Sequence, residues 1–513
     1  MEGHRALTQD LTRRSFLGAP LAAAPALVGL TRKTDRPIAG SFVNDAFPIG
    51  HRLRDHQVFS RPKQQQRVPI VIIGGGIAGL SAAWRLDKRG MRDFVLLEME
   101  PQAGGNARWG ENEISKFPWA AHYVPVPAKG ESLARELFEE LGVFRDGKWD
   151  ERVLCFDPQE RLFRYGRWQE GIEPEIGVTD QERDQYKRFV EKINQFRATG
   201  EFTIPMERGA TPSPLDRVSM ADWLTAERFD SPSLGWYVNY ACRDDYGALA
   251  RDTSAWAGIH YFASREPEEK GPLTWPEGNG WITEQLLKKL GRYVRSGSVV
   301  FKVVRAGTRL RVFTEPVEYV TEKVIFAAPT FLAHYIIEAT PPATGFQYSP
   351  WLTANLMLDR IPDQKGAEPA WDNVIYDSPT LGYVNATHMS LATHTERTVW
   401  TFYWSLAEHS PRDARRLLLA KDWTHWKEAI LNDLARAHPD IRECVSRIDI
   451  MRLGHAMVRP APGFLFSADR ERWQKPQANV LYANSDLSGF SIFEEAQYRG
   501  VKAAEAALGK TGV

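Results

Sequence analysis

VPIVIIGGGIAG, residues 68–79, decides the fold of this 513-residue chain. Its first half, Val68–Ile73, is apolar and rich in β-branched residues, which predicts a buried parallel strand. Glycines follow at once, and residues 77–89 then have helical character with Gly90 as a stop. A second strand is predicted over residues 94–97 and ends at Glu98. This order of strand, glycine turn, helix, strand and acid predicts a dinucleotide-binding α/β unit.

The glycines and the helix start have separate physical roles in such a unit. Gly74 permits the tight turn, Gly76 lets the backbone approach a pyrophosphate, and Gly79 lets the helix pack close to the sheet. Ile77 and Ala78 open the helix, whose first N–H groups and partial positive charge face the phosphates. We therefore expect the phosphates of a dinucleotide at residues 74–79.

Glu98 lies 19 residues after Gly79, where an acid can accept hydrogen bonds from ribose hydroxyls. A carboxylate there also disfavours a 2′-phosphate, so NADP is not expected. Gly104-Gly105 follows closely. The segments VIIGGGIAGLSAAWRL (71–86) and FVLLEMEPQAGG (94–105) resemble the N-terminal fingerprint of the FAD-dependent amine oxidase superfamily, which includes protoporphyrinogen oxidases and phytoene desaturases.

The resemblance implies FAD as the cofactor. In that family the second glycine pair touches the pyrophosphate region, and an arginine usually follows it directly. Here Asn106 follows the pair and Arg108 comes two positions later. The resemblance therefore implies that Gly104 and Gly105 contact FAD, with Arg108 as the nearest candidate for the arginine contact.

The C-terminal region resembles the family's second motif. Residues 479–486 predict a strand that ends at Asp486, and a helix is predicted to open at Phe493 and run to about residue 508. The resemblance places Asp486 at the ribityl–phosphate part of FAD, and Glu495 and Ala496 at the flavin's pyrimidine edge. A helix N-terminus there stabilises the negative charge of a reduced flavin. The family usually has glycine where this chain has Glu495.

The middle of the chain resembles the family's third FAD segment. A helix is predicted over 281–290 and strands over 299–304, 310–313 and 324–328, and the resemblance implies that Val300 offers backbone bonds to the adenine. The expected fold class is α/β, with a discontinuous Rossmann-like FAD-binding domain and an α+β substrate-binding domain. We expect the FAD-binding domain to comprise residues 66–125, 275–340 and 475–513, and the substrate domain to comprise residues 126–274 and 341–474.

Two histidines are candidates for catalysis. His334 lies five residues after Pro329, where polyamine-oxidase-like relatives have a lysine near flavin N5. It could bind the same water or act as a base, since its titration range is suitable; the alternative is a histidine on a helix surface. His122, in Ala-Ala-His-Tyr (120–123), matches the family's Gly-x-His/Gln segment beside the flavin, and its alternative is a loop role.

Four residues are candidates for substrate contact. Asp244 and Asp245 could hold a cationic amine, although acids on an exposed turn are the more common outcome. Trp404 ends the stretch TVWTFYW (398–404), in which Trp400, Phe402 and Trp404 alternate onto one face of a strand. That face could form the floor of an apolar pocket or pack under helices. Ile492 stands where monoamine oxidases have a tyrosine that forms one wall of an aromatic cage, which counts against a conventional monoamine oxidase.

Charge and cysteine content exclude other classes of protein. Lys+Arg and Asp+Glu both total 65, so the chain lacks the positive surplus that nucleic-acid binding needs. The three cysteines are far apart and no CxxC pair occurs, which gives no support for a metal site.

The N-terminus predicts an export signal. Arg13-Arg14 precedes Ser-Phe-Leu and a weakly apolar, Ala-rich run, a pattern that resembles a twin-arginine signal over residues 1–30. The alternative is a basic tail beside a short core helix. Residues 31–65 are expected to be a linker, and no later run reaches the ~20 apolar residues that a stable membrane span needs. The expected partner is the twin-arginine export machinery, and the expected location is periplasmic or extracytoplasmic.

These patterns predict an FAD-dependent oxidoreductase that oxidises a small-molecule amine, polyamines included, by hydride transfer to flavin N5. The electron acceptor could be oxygen, a quinone or a cytochrome. Two alternatives stay open. One is a desaturase or isomerase of a lipid-like polyene, and the other is a flavin-binding partner subunit without catalysis.

Overall fold

A computed structural model describes residues 37–43, 46–127, 132–265, 271–390 and 395–509. The predicted export signal and the first six residues of the predicted linker lie outside the described residues. No helix in the described ranges is long and apolar enough to cross a membrane.

Helices and strands are numbered in chain order. The helices are α1 Phe47–Arg54, α2 Ile77–Lys88, α3 Leu133–Glu140, α4 Asp180–Thr199, α5 Met220–Ala226, α6 Pro232–Tyr246, α7 Ala255–Ala263, α8 Gly280–Leu290, α9 Ala333–Ile336, α10 Pro411–Ala420, α11 Trp423–Leu434, α12 Ile441–Cys444, α13 Ala468–Gln474 and α14 Phe493–Ala507. The strands are β1 Ala39–Phe42, β2 Gln64–Arg67, β3 Ile70–Ile73, β4 Phe94–Leu97, β5 Trp109–Glu111, β6 Lys116–Pro118, β7 Tyr123–Val124, β8 Phe144–Arg145, β9 Lys148–Trp149, β10 Glu160–Arg164, β11 Arg167–Glu170, β12 Leu273–Thr274, β13 Val294–Arg295, β14 Lys302–Ala306, β15 Arg309–Phe313, β16 Val317–Thr321, β17 Lys323–Phe326, β18 Tyr348–Leu358, β19 Asp372–Ile375, β20 Gly382–Asn385, β21 Thr398–Trp404, β22 Val445–Val458 and β23 Val480–Tyr482.

The predicted dinucleotide unit is built on a parallel sheet in the order β13-β4-β3-β17-β23. β3 and β4 pair in register, with Ile70 opposite Phe94 and Ile73 opposite Leu97. Both strands are buried along their whole length. Their uninterrupted apolar sequence is thus explained, because a parallel sheet is covered on both faces. The predicted α/β class with a Rossmann-like domain is confirmed.

Two glycines let helices pack at unusually short range, one against the glycine turn and the other against a second helix. A Cβ added to Gly79 of α2 would lie 1.9 Å from the carbonyl oxygen of Gly74. A Cβ added to Gly500 of α14 would lie 2.1 Å from the carbonyl oxygen of Ala78. The N-terminal and C-terminal segments of the predicted domain are therefore joined by direct backbone packing. Beside them, β14, β15 and β16 of the middle segment form a four-stranded sheet with β2.

The remainder forms an eight-stranded sheet in the order β1-β22-β18-β21-β20-β19-β10-β11. One face packs on the helices α10 to α12, in a cluster that contains Trp400, Phe402 and Trp426. The other face carries Tyr403 and Trp351 toward α6. This is the α+β domain that the sequence predicts between the segments of the first domain.

The segment predicted as a linker has regular structure where it is described. β1 pairs in parallel with β22 at the edge of the eight-stranded sheet, and β2 pairs in parallel with β16. α1 lies between them along the chain and buries Leu53. The sequence reads as a linker because all four residues of β2 are exposed. Edge pairing uses backbone groups, so it leaves no apolar pattern.

Gly40 should be required for β1 to pair. It has φ +143°, and a Cβ there would lie 1.8 Å from the carbonyl oxygen of Ile448. We expect Gly40→Ala to detach β1 and lower the free energy of unfolding by about 1–3 kcal/mol, measured by urea denaturation. Gly50→Ala in α1 is the control, because a Cβ at Gly50 meets nothing within 4 Å. Equal stability of the two variants would contradict the prediction.

Candidate active site

A long cavity, here the glycine-turn cavity, runs along the carboxyl ends of the parallel strands. It is lined by the following residues that the sequence predicts: Gly74, Gly76, Ile77, Ala78, Glu98, Gly104, Gly105, Arg108, Val300, Asp486, Ile492 and Ala496. These positions come from every segment of the predicted discontinuous domain. The tertiary structure therefore gathers residues more than 400 positions apart in the chain around one cavity.

The floor of the cavity is bare backbone where the two glycine segments meet. The Gly104 N–H donates to the Gly75 carbonyl at 2.8 Å. A Cβ on Gly105 would lie 3.2 Å from the Cα of Gly76, so side chains here would narrow the cradle. α2 begins at this point, and its first N–H groups face the cavity. Such a cradle fits a pyrophosphate.

Glu98 stabilises the glycine turn through hydrogen bonds from backbone N–H groups. Its carboxylate accepts from the Gly75 N–H at 2.6 Å and from the Glu100 N–H at 2.7 Å. Burial raises the pKa of Glu98, and these backbone donors and the nearby Arg108 oppose that rise. Arg108 donates from Nε to the Gly105 carbonyl at 3.0 Å, which fixes it beside the second glycine pair.

Asp486 lies four residues after β23, because the strand ends at Tyr482 and not at Asp486 as the sequence predicts, and both of its carboxylate oxygens accept hydrogen bonds. It accepts from the Thr330 N–H at 2.8 Å, the Thr330 hydroxyl at 2.7 Å and the Tyr348 hydroxyl at 2.5 Å. Burial raises its pKa, and these donors oppose the rise. The side chain thus fixes the loop between β23 and α14 against the wall of the cavity.

Glu495 does not face the glycine-turn cavity, contrary to the sequence expectation. Its Oε1 accepts from the Met206 N–H at 2.5 Å, on another side of α14. Helical spacing explains the difference, because Ile492 and Ala496 are four residues apart and share the face that lines the cavity. Gly79 is not among the residues that line the cavity. It packs against the backbone of Gly74, as its predicted role in close packing requires.

His334 also lies outside the cavity. Leu332 and Ile336 line the cavity from the same short segment, and His334 projects elsewhere, with its ring 3.7 Å from that of Tyr335. Leu332 and Ile336 are four residues apart and share one face of the helix, so His334, midway between them, points to another face. Burial lowers the pKa of His334. The helix-surface alternative describes this residue better than a role near flavin N5.

A second cavity, here the acidic cavity, adjoins the first. The two share the lining residues Asn106, Ala121, Asn279, Ala456, Ser491, Ile492 and Phe493. Beyond this shared wall lie four carboxyl groups, those of Asp244, Asp245, Asp372 and Glu494. Arg265 is the only lysine or arginine among the described lining residues.

Asp244 and Asp245 lie in this cavity rather than on an exposed turn. They belong to the last turn of α6, which packs under the cavity. Asp245 pairs with Arg265 at 3.2 Å. Burial raises the pKa of Asp244 to about 7, with Asp245 adding to the rise and Arg265 opposing it. Asp244 forms no ion pair with another described residue, so its carboxyl group is available to a ligand.

Aromatic rings form the rest of the acidic cavity. His122 lines it, with its ring 4.7 Å from Tyr403, and its Nδ1 lies 3.3 Å from the Ala120 carbonyl. Burial lowers the pKa of His122 to about 4. The imidazole is therefore neutral near pH 7 and adds no positive charge to the cavity. Tyr123, Tyr240 and Trp351 complete the aromatic wall.

Trp404 does not line either cavity, whereas its neighbour Tyr403 does. The Trp404 ring lies 5.7 Å from that of Trp426 in α11. Side chains of a strand alternate between faces, so Trp400, Phe402 and Trp404 share the helix-covered face. The sequence identified the alternation, but only the sheet's packing shows which face is the pocket.

Sequence reasoning missed Asp372, Glu494 and Arg265. Glu494 and Glu495 are adjacent acids in the first turn of α14, and the sequence does not fix which one faces the cavity. Asp372 begins β19 and Arg265 follows α7, so neither belongs to a recognisable motif. No cluster of His, Cys, Asp and Glu suited to a metal ion occurs among the described residues, Asp244, Asp245, Asp372 and Glu494 included.

The discontinuous Rossmann-like domain, the α+β domain and the adjoining cavities define a two-domain dinucleotide-binding protein. The family model described as "NAD(P)-binding Rossmann-like domain" matches residues 72–141. Among curated proteins, the chain is 24% identical to the flavin-containing amine oxidase of Oncorhynchus mykiss over 322 residues. That alignment covers 58% of this chain and 55% of the trout protein, so the chain spans about half the length of this relative.

Solved structures share the fold over nearly the whole chain. Putrescine oxidase bound to putrescine matches with a TM-score of 0.65 and 16% identity, covering 87% of this chain and all of that one. A fatty acid isomerase from P. acnes matches with a TM-score of 0.62 and 13% identity, covering 85% of this chain and 97% of that one. The fold is thus common to proteins with different substrates, so the substrate class has to be inferred from the residues that line the cavity.

Proposed function

We propose that this protein is an FAD-dependent oxidoreductase that oxidises an amine. The observation that carries the proposal is the acidic cavity, which opens on the glycine-turn cavity and holds four carboxyl groups against one arginine. A buried surplus of carboxyl groups favours a cationic ligand, because the ligand supplies the missing positive charge.

FAD fits the glycine-turn cavity. The backbone of residues 76, 104 and 105 would hold the pyrophosphate, and Glu98 lies where the ribose hydroxyls are expected. The N-terminus of α14 would face the pyrimidine edge of the flavin, where its partial charge favours the reduced state. When bound, the flavin supplies the acceptor for a hydride from the substrate carbon next to nitrogen.

The acidic cavity would orient the amine and exclude water. Tyr240, Tyr403 and Trp351 present aromatic surface to a cation, and Asp244 presents a carboxyl group that forms no ion pair within the described part of the chain. Putrescine oxidase, which has the same fold, has been solved with putrescine bound. A diamine is therefore the substrate class that we would test first, with polyamines next.

The polyene alternative is less compatible with this cavity. A lipid-like chain would bury Asp244, Asp372 and Glu494 without giving them a charged or hydrogen-bonding partner, which costs free energy. The catalytic alternative is favoured over a non-catalytic subunit because the two cavities adjoin, so a ligand in one can reach a cofactor in the other.

We also propose, from Arg13-Arg14 and the Ala-rich run after them, that the chain is exported by the twin-arginine route to the periplasm. The electron acceptor of the exported protein would be oxygen, a quinone or a cytochrome. Fusing residues 1–36 to a reporter that becomes active only after folded export would test the export proposal. Export should be lost with Arg13→Lys and Arg14→Lys together, and unchanged export would contradict the proposal.

The proposed function predicts a visible flavin spectrum and its bleaching by an amine. The purified chain should carry FAD, and putrescine added without oxygen should remove the flavin band at least as fast as benzylamine does. Linoleic acid should not. A protein without a flavin band would refute the cofactor assignment. A flavin that linoleic acid alters and no amine reduces would support the polyene alternative.

A further inference from the structure

We propose that Glu494 is a catalytic base that takes a proton from the substrate's ammonium group. This inference rests on the proposed amine oxidation, and it concerns the second residue of α14. The geometry of Glu494 carries it.

Glu494 is the second residue of α14 and only 8% exposed, yet it lines the acidic cavity. Its Oε2 has no hydrogen-bond partner among the described residues. Phe493, directly before it, lines both cavities. Glu494 is therefore a cavity-lining residue whose buried Oε2 is unpartnered among the described residues, and it lies next to the place where the two cavities meet.

Amine oxidation needs such an acceptor. An alkylammonium has a pKa near that of lysine, roughly 10.4, so the free substrate carries an N–H bond in place of a lone pair near neutral pH. The N–H bond breaks as its proton moves to Oε2, and the electron pair stays on nitrogen. That pair then forms the C=N bond while the neighbouring C–H bond breaks and its hydride passes to the cofactor. The products are a protonated imine and a protonated Glu494.

The surroundings of Glu494 make it a stronger base than an ordinary glutamate. Burial raises its pKa to about 7, Arg265 opposes the rise, and Glu495 and Asp245 add to it. These charged and titratable groups face it from the elements around the acidic cavity: Arg265 after α7, Asp244 and Asp245 of α6, Asp372 of β19, His122 before β7, and Glu495 of its own helix. A base with this pKa is half ionised near neutral pH and matches the operating range of general-base catalysis.

The other candidates are less suited to this role. Burial lowers the pKa of His122 to about 4, which makes its imidazole a weak proton acceptor. Asp245 is engaged with Arg265 at 3.2 Å. Asp244 lies on α6, and it lines the acidic cavity but not the shared wall. Glu494 alone among the described carboxyl groups of the cavity follows a shared-wall residue directly in the chain.

The test is the limiting rate of flavin reduction by saturating putrescine, measured by rapid mixing without oxygen at a series of pH values. In the wild type the rate should rise with pH and level off above about 7, because Glu494 accepts a proton only when ionised. Glu494→Gln should remove this break and lower the rate on the order of 10²-fold or more at alkaline pH. Glu495→Gln is the matched control, a neighbouring buried carboxyl group that faces Met206, and it should keep the break.

A second variant and a binding measurement keep the test decisive. Glu494→Asp retains a carboxyl group and should keep the break at a reduced rate. Tetramethylammonium, which has no N–H bond, should perturb the flavin spectrum of Glu494→Gln with unchanged affinity at acidic pH, where the wild-type carboxyl group is protonated. An unchanged profile in Glu494→Gln, or equal rates in the Gln and Asp variants, would overturn the role of Glu494 alone. A wild-type flavin that no amine reduces would overturn the proposed function with it.

Discussion

Gly79→Ala should leave a protein without bound flavin and with a free energy of unfolding lower by about 3 kcal/mol or more, at the upper end of overpacking effects. The added methyl group would lie 1.9 Å from the carbonyl oxygen of Gly74, and that oxygen is backbone and cannot rotate away. α2 would have to move off β3, and its N-terminal N–H groups would move with it. Since those groups form the pyrophosphate cradle, stability and cofactor binding should fall together.

Gly235→Ala is the matched control for this prediction. Gly235 also lies in a helix, α6, but a Cβ there meets nothing within 4 Å. Replacing a mid-helix glycine by alanine should stabilise the protein by about 0.5–1 kcal/mol and leave flavin content unchanged. Thermal unfolding and the ratio of flavin to protein absorbance measure both effects. A Gly79→Ala protein that kept its flavin at wild-type stability would refute the close-packing account of the cradle.

Asp244→Asn should weaken binding of a diamine substrate by roughly 30-fold to several thousandfold, the range for truncating one partner of a buried charge pair at about 2–5 kcal/mol. Asp244 is a partly buried carboxyl group of the cavity wall that forms no ion pair with any described residue, and the amide keeps its shape while removing its charge. The loss should appear in the apparent Kd for putrescine during anaerobic reduction. The limiting rate should change less, because that rate depends on Glu494.

The pH dependence of binding follows from the same carboxyl group. Burial raises the pKa of Asp244 to about 7, and a carboxyl group is charged only above its pKa. The apparent Kd for putrescine should therefore fall as pH rises through about 7 in the wild type, and this dependence should be smaller in Asp244→Asn. Asp363→Asn is the control, since that side chain is 95% exposed and should change neither quantity. Equal affinities of the wild type and Asp244→Asn would show that the acidic cavity does not bind the amine.

Much of the cofactor cavity was predictable because its contacts are local in sequence. The roles of Gly74, Gly76 and Gly79 follow from one short turn, and their spacing has one structural solution. Glu98 and Gly104-Gly105 follow at fixed distances from that turn. The predictions failed where a side chain's direction depends on helical or strand phase. Glu495 and Trp404 each belong to a correctly predicted element and face away from the site, and His334 lies on a short helix and also faces away.

The sequence by itself determined the dinucleotide unit and the positions of its glycines, since both depend on residues close together in the chain. Only the tertiary structure decided that Asp244 and Asp245 line a cavity, that Tyr403 rather than Trp404 faces it, and that Glu494 lines it too. Those facts depend on how α6, β21 and α14 pack against one another. No pattern within a single segment encodes that packing, because the buried charges are tolerated only where distant elements enclose them together.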